Sequence, residues 1–299
     1  MRSESGYAYA KASWIVGKSF LGKRISSLNS IHTLNELDRL IFTDAHRELP
    51  GRELLIDLEK RITQRTVRQV LSVVKSYSQP PKLLVRMLKC FEYTDLKRRF
   101  TWLSLGKNEE NQEGLNYDYY QDLIESLYQL DSEDRIVAAR LLADEISLQN
   151  CILALRLRKF YHKSETEAAK NLMNFKMHGN LYQKKISLCS DARTSLHFSL
   201  DVRQDWKGWR WEKFLNHDDS PAQWTIDPRY FQNAAYQHLY HLSLHNFHNA
   251  PMTVSALYCF IKLKLFEEDF LISIAEGLSL GMDCSSIIKL LPIEKKGDI

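Results

Sequence analysis

Apolar residues return every three and four positions along this chain, and that rhythm constrains its fold more than any other feature. Val67, Val70, Leu71 and Val74 follow it, as do Tyr120, Leu123, Ile124 and Leu127, and again Leu148, Cys151, Ile152 and Leu155. Residues three and four apart share one face of an α-helix, so each set draws a stripe that has to be buried. Period-two alternation, the mark of a half-buried strand, is nearly absent; Ile186 to Val202 mixes Ser, Leu, Cys, His and Phe without a clear period and stays unassigned. With 11 Gly and 7 Pro in 299 residues, tight turns are too few for a β-rich chain, and the sequence predicts an all-α fold.

Local chemistry marks where these helices begin and end. Pro80 and Pro81 are expected to stop a helix that begins near Glu53, and Gly106 to Gly114 reads as a polar loop. Ser164 and Glu167 have the spacing of a capping box for a helix over Thr166 to Met173. Asp227 and Pro228 form an N-cap and first-turn pair, and Gly281 is placed to end the long helix running through Ile274.

Charge and cysteine usage narrow the function classes. A balance of 41 basic against 37 acidic residues does not by itself call for a nucleic-acid partner. The charges are segregated, however: residues 52–107 hold 13 basic and 5 acidic side chains, and residues 108–150 hold 2 basic and 11 acidic. Two solvated helix faces that attract one another inside the fold account for this, as does a polarised surface that orients a charged partner. Five scattered cysteines lack the spacing of a zinc site or a disulfide framework, which fits a reducing cytosol. Met1 to Lys11 has no secretory signal character. Tyr230 to Ile261 is free of Asp, Glu, Lys and Arg, yet Pro251, four His, three Asn and two Gln make it a poor membrane span. Contact with a membrane is therefore expected only through another protein.

Three constellations could carry chemistry. His238, His241, His245 and His248 fall along one helical stripe and are the best metal candidates, with Cys259 or Cys284 as a further ligand; the simpler reading is imidazoles flanking an apolar face. Trp206, Lys207, Gly208, Trp209, Arg210 and Trp211 interleave rings with cations, as single-stranded nucleic-acid platforms do, but Trp and Arg also anchor protein contacts and cores, and no nucleic-acid motif accompanies them. Trp209 and Trp211 are accordingly read as interface candidates. Arg156 and Arg158 straddle Leu157 near a helix end, with heads expected to point away from the core, toward Glu145 or toward a partner's carboxylates. No phosphate-binding loop, dinucleotide fingerprint or nucleophile elbow is present, so neither catalysis nor a cofactor is expected.

Three segments share one pattern, an acidic residue early in a helix, apolar positions, then a Gly or basic-aromatic exit. They run from Phe91 and Glu92 to Gly106, from Asp144 and Glu145 to Tyr161, and from Phe266, Glu267 and Glu268 to Gly281. Ala154 to Tyr161, preceded by Leu148, Gln149 and Asn150, resembles the central repeat of the family of central-stalk C subunits of archaeal and bacterial V/A-type ATPases, counterparts of the vacuolar d subunit. Tyr7 to Ala12 with Leu21 resembles that family's N-terminal helix, Leu88 to Gly106 its first repeat, and Phe260 to Leu291 its third.

The resemblance implies three similar helical subdomains in a funnel around a pseudo-threefold axis, expected at residues 1–110, 111–205 and 206–299, with the N-terminal helix able to pack on the third. It implies a rotor coupling and not an enzyme, seated on the membrane proteolipid ring, receiving the central shaft and passing torque during ATP-driven ion transport or ATP synthesis. The implied location is the cytoplasmic face of the membrane. Arg98, Arg99, Arg156 and Arg158 are then the basic interface candidates. A helical scaffold of another system, or a nucleic-acid-binding helical protein, is the alternative reading of the same residues.

Overall fold

The computed structural model describes residues 2–22, 24–42, 49–92, 110–178, 185–217 and 224–290. Its long elements are helices: α1 (Arg2–Gly17), α2 (Leu34–Ile41), α3 (Gly51–Val74), α4 (Lys82–Glu92), α5 (Glu110–Leu127), α6 (Ser132–Lys159), α7 (Glu165–Lys170), α8 (Ser190–Ser195), α9 (Pro228–Asn249), α10 (Val254–Ser279) and α11 (Cys284–Leu290). The described strands are β1 (Lys176–His178) and β2 (Lys185–Ser187), antiparallel with Met177 opposite Ile186. The fold is all-α.

Most predicted helix ends hold. The Ser164 hydroxyl accepts the Glu167 N–H while the Glu167 carboxylate accepts the Ser164 N–H, closing the capping box of α7. The Asp227 carboxylate accepts the Arg229 N–H at 2.8 Å and starts α9. At the end of α10, Gly281 adopts φ +78°, which lets the N–H of Met282 reach the Gly277 carbonyl at 3.0 Å and the N–H of Gly281 reach that of Leu278 at 3.1 Å.

Two expectations need correction. Residues 110–114 belong to α5 and not to a loop; Glu110, Gln112 and Glu113 are helix-forming residue types, and their propensity outweighs Gly114. Helix α3 ends at Val74, before the two prolines; the Pro81 carbonyl instead accepts from Leu84 and Val85 and opens α4. The stretch left unassigned, Ile186 to Val202, holds the end of β2, then α8 and irregular turns, and short elements in sequence give no single period.

The chain divides into two compact units, residues 1–97 with 243–299, and residues 98–242. In the first unit α10 is the axis, with α1, α2, α3, α4 and α11 packed on it. Its sequence is apolar all round, as a helix enclosed on every side requires. Nevertheless Lys262, Lys264, Glu267 and Glu268 are buried along it. Lys264 pairs with Glu267 one turn on. Arg65 of α3 lies 3.7 Å from the Glu267 carboxylate, which also accepts the Phe20 N–H at 2.9 Å. Thr63 of α3 donates to Glu268 at 2.6 Å. A buried charge is tolerable only with such partners, so the network pins α3 and the segment after α1 to the axis.

In the second unit α6 plays the same part, packed by α5, α7 and α8. Asn150, fully buried, accepts the Met173 N–H at 2.8 Å and donates to the Met173 and Leu188 carbonyls, tying both ends of the β-hairpin to the helix.

Two measurements follow. A Cβ on Gly277 would stand 2.5 Å from Ile287 Cδ1, so Gly277→Leu should loosen α11 and lower the melting temperature, and Ile287→Ala in the same chain should recover part of the loss. Burial by itself would raise the Glu267 pKa, but Lys264, Arg65 and the Phe20 amide outweigh it and hold the group below its ordinary value. Its contribution to stability is therefore complete above about pH 4.5 and is lost as pH falls through the lowered folded value. Between pH 6 and 3 the melting temperature of the parent chain should fall more steeply than that of Glu267→Gln, which starts lower at neutral pH.

Candidate functional site

The polar centre of the second unit lies where α6, α8, α9 and the tryptophan segment meet. Asp144 and Ser147, one turn apart on α6, are both buried, and Asp191 stands at the start of α8. Ser147 donates to Asp191 at 2.8 Å. The Arg210 guanidinium bridges the two carboxylates, meeting Asp144 directly and Asp191 at 3.1 Å, and lies 4.3 Å above the Trp211 ring. His238 of α9 completes the cluster with Nε2 at 3.1 Å from the second oxygen of Asp144. Two acids thus face one guanidinium and one imidazole.

The tryptophan segment is a plug and not a platform. Trp206, Trp209 and Trp211 are 0%, 7% and 5% exposed, and every one of their indole N–H groups finds an acceptor. Trp206 donates to the Ser199 carbonyl, Trp209 to the Asp191 carbonyl, and Trp211 to the Ser147 hydroxyl and the Asp191 carboxylate. Gly208, at φ +79°, makes the turn that points successive rings inward. Trp209 and Trp211 are therefore core residues of their own unit, which corrects their reading as interface candidates. Rings packed against one another and against Phe198 and Phe231 leave no face for a base to stack on.

Arg156 and Arg158 also differ from expectation. Their heads turn back into the unit: Arg156 donates to the Gln232 side chain, and Arg158 to the carbonyls of Ser195 and Phe198 at 3.1 and 2.8 Å. Burial lowers both guanidinium pKa values from the usual, and these acceptors compensate for the lost water. Glu145 takes a different partner, the Tyr120 hydroxyl of α5 at 3.1 Å. Arg98 and Arg99 lie outside the described residues, as does the stretch that follows them to residue 109.

The histidine stripe separates into individual roles. His238 joins the acidic cluster, with its ring against Trp211 and Phe214; His241 packs edge-on to Tyr240; His245 bonds Asn249 at 2.7 Å; His248 lies against Phe247. Burial pushes the Cys259 thiol up to about 12 and the Cys284 thiol up to about 11, so neither is a ready thiolate ligand at neutral pH. Among the described residues no three His, Cys, Asp or Glu side chains converge to hold an ion.

One relation was invisible in the sequence until the partners were known. Adjacent acids occupy the interior of both axial helices, Asp144 with Glu145 on α6 and Glu267 with Glu268 on α10. In each pair the first acid meets cations, Arg210 in one unit and Lys264 with Arg65 in the other. The second accepts a hydroxyl from a neighbouring helix, Tyr120 in one and Thr63 in the other. These pairs are the acidic positions of two of the three recurring segments; the third begins at Glu92, whose side chain is outside the described residues.

The family described as ATP synthase (C/AC39) subunit matches residues 32–290. An uncharacterized protein of Treponema pallidum (strain Nichols) is 24% identical over 321 aligned positions, covering 92% of each chain. No solved structure matches the chain.

Because the cluster binds four elements together, Asp144→Asn should cost about 2 kcal/mol of unfolding free energy in denaturant melts, and Trp211→Phe, which removes one donor, about 1 kcal/mol.

Proposed function

We infer that this chain, which belongs to the ATP synthase (C/AC39) subunit family and is thus a V/A-type ATPase subunit, serves as the rotor coupling of its complex. In this reading it joins the membrane proteolipid ring to the central shaft on the cytoplasmic side and transmits torque in ATP-driven ion transport or ATP synthesis. The observation that carries it is the family match across residues 32–290, from α2 to the end of α11.

Physical features support the reading. Torque passes without loss only through a stiff adapter, and each unit is built on a long axial helix, of 28 and 26 residues, locked laterally by buried ion pairs and side-chain hydrogen bonds. The matching acid pairs on α6 and α10 are what a repeated helical module leaves behind, in keeping with three subdomains descended from one. Among the described residues no helix is long and apolar enough to cross a membrane, as suits a protein held at the membrane by its neighbours. Since Arg156 and Arg158 hold their own unit together, contacts near that end of α6 fall to Phe160 and Tyr161, which are about half exposed, while Arg98 and Arg99 stay basic candidates.

A tagged chain expressed in its own cells should bring down ring and shaft subunits after mild detergent extraction. Deleting its gene should leave ATP hydrolysis by the catalytic head but abolish ion transport driven by it. Recovery of the chain without either neighbour, or transport that survives the deletion, would remove the basis for the rotor role.

A further inference from the structure

Helix α1 is apolar on both sides. Ala8, Ala12 and Ile15 face the core of its unit, as expected. The opposite, exposed stripe reads Tyr7, Ala10, Trp14, Gly17 and Lys18, at successive steps of three, four, three and one. A surface helix ordinarily turns charged and polar residues outward, so an outer stripe of two rings and two small residues lacks its usual solvation. Tyr7 and Trp14 are 63% and 62% exposed. Met252, 61% exposed, extends the strip, since a Cβ on the neighbouring Gly6 would lie 3.9 Å from its sulfur. Met252 also holds φ +61°, a conformation unfavourable for a side chain of this kind, in the turn that presents its thioether outward.

The order of large and small residues on this stripe says what fits it. Laid antiparallel against a copy of itself about a two-fold axis, α1 brings each ring level with a small residue: Tyr7 with the partner's Gly17, and Trp14 with the partner's Ala10. Every layer then holds one large and one small side chain, so the backbones can approach evenly along the contact. Nothing lies within 4 Å of a Cβ built on Gly17, which leaves that groove open. The same register sets Lys18 level with the partner's Gly6, next to the partner's Tyr7. Among the described residues Lys18 pairs with no carboxylate, and its ammonium lies 3.8 Å from the centre of the Trp14 ring, so the cation is already directed along the stripe and not into a salt bridge.

We propose that the free chain pairs with a second copy through the outer stripe of α1, the two helices antiparallel and in the register just described. Two rings and a thioether from each copy, with the small residues between them, amount to about 1,000 Å² in total, at the low end for a specific interface, so the dimer is weak and reversible. The inference is independent of the rotor role, in which the chain works within a larger assembly.

Sedimentation equilibrium of the full chain, up to about 500 µM, should describe a monomer–dimer exchange. Ala10→Glu and Trp14→Ala should each raise the dissociation constant at least about tenfold without moving the melting temperature, since both side chains face solvent in the monomer. Arg68→Glu, exposed on α3, should leave it unchanged. With all five native cysteines buried, Ala10→Cys treated with a short bis-maleimide should give a covalent dimer and Arg68→Cys should not. A chain that stays monomeric throughout, a dimer indifferent to both α1 substitutions, or failure of Ala10→Cys to cross-link would each overturn the proposal.

Discussion

Carboxylates in the middle of a buried helix are tolerated only when other elements bring them partners, and that requirement organises both units. A helix can satisfy its own backbone, but it offers an interior acid few partners of its own; Asp144, Glu145, Glu267 and Glu268 therefore make the position of Arg210, Tyr120, Arg65 and Thr63 a condition of folding. Apolar attraction is non-directional and fixes the level of α3 along α10, or of α5 along α6, less sharply than a charge-assisted bond at one level of the helix does. The acids thus fix register, and apolar stripes such as Val70, Val73 and Val74 supply the bulk of the burial.

That division of labour suits a part whose work is mechanical. The proposed rotor coupling would have to resist shear between its helices, and shear is what register-fixing contacts oppose. The second unit carries the principle furthest, since its acidic centre gathers residues from α6, α8, α9 and the tryptophan plug, while Asn150 secures the hairpin. Side chains that looked like tools for binding others, Arg156, Arg158, Trp209 and Trp211, are used within the unit itself. Exposed apolar surface is found instead at Phe160 and Tyr161 after α6 and along the outer stripe of α1.

Helix positions and ends could be read from the sequence because their causes are local. The three- and four-residue spacing on α3, α5 and α6, the capping box at Ser164, the Asp227 start of α9 and the Gly281 stop of α10 all act within a turn or two of chain. The same holds for the family resemblance, which rests on short runs such as Ala154 to Tyr161. Where local signals compete, the reading erred: helix-favouring acids after residue 109 outweighed the glycine of Gly114, and α3 stopped short of the prolines.

Partners were not legible, and the reason is distance along the chain. Asp144 and His238 are separated by 94 residues, and Thr63 and Glu268 by 205, so no spacing rule connects them. A Trp-rich basic segment has the same composition whether it faces a nucleic acid or plugs a core; only the fold, by placing acceptors at Ser199, Asp191 and Ser147, chose the second. The sequence by itself determined that the chain is helical, where most helices begin and end, and which family it resembles, because periodicity and capping are written in neighbouring residues. Tertiary structure decided which charges are buried, which cations they hold and which faces are left to solvent, because those depend on groups that meet only after the chain has folded.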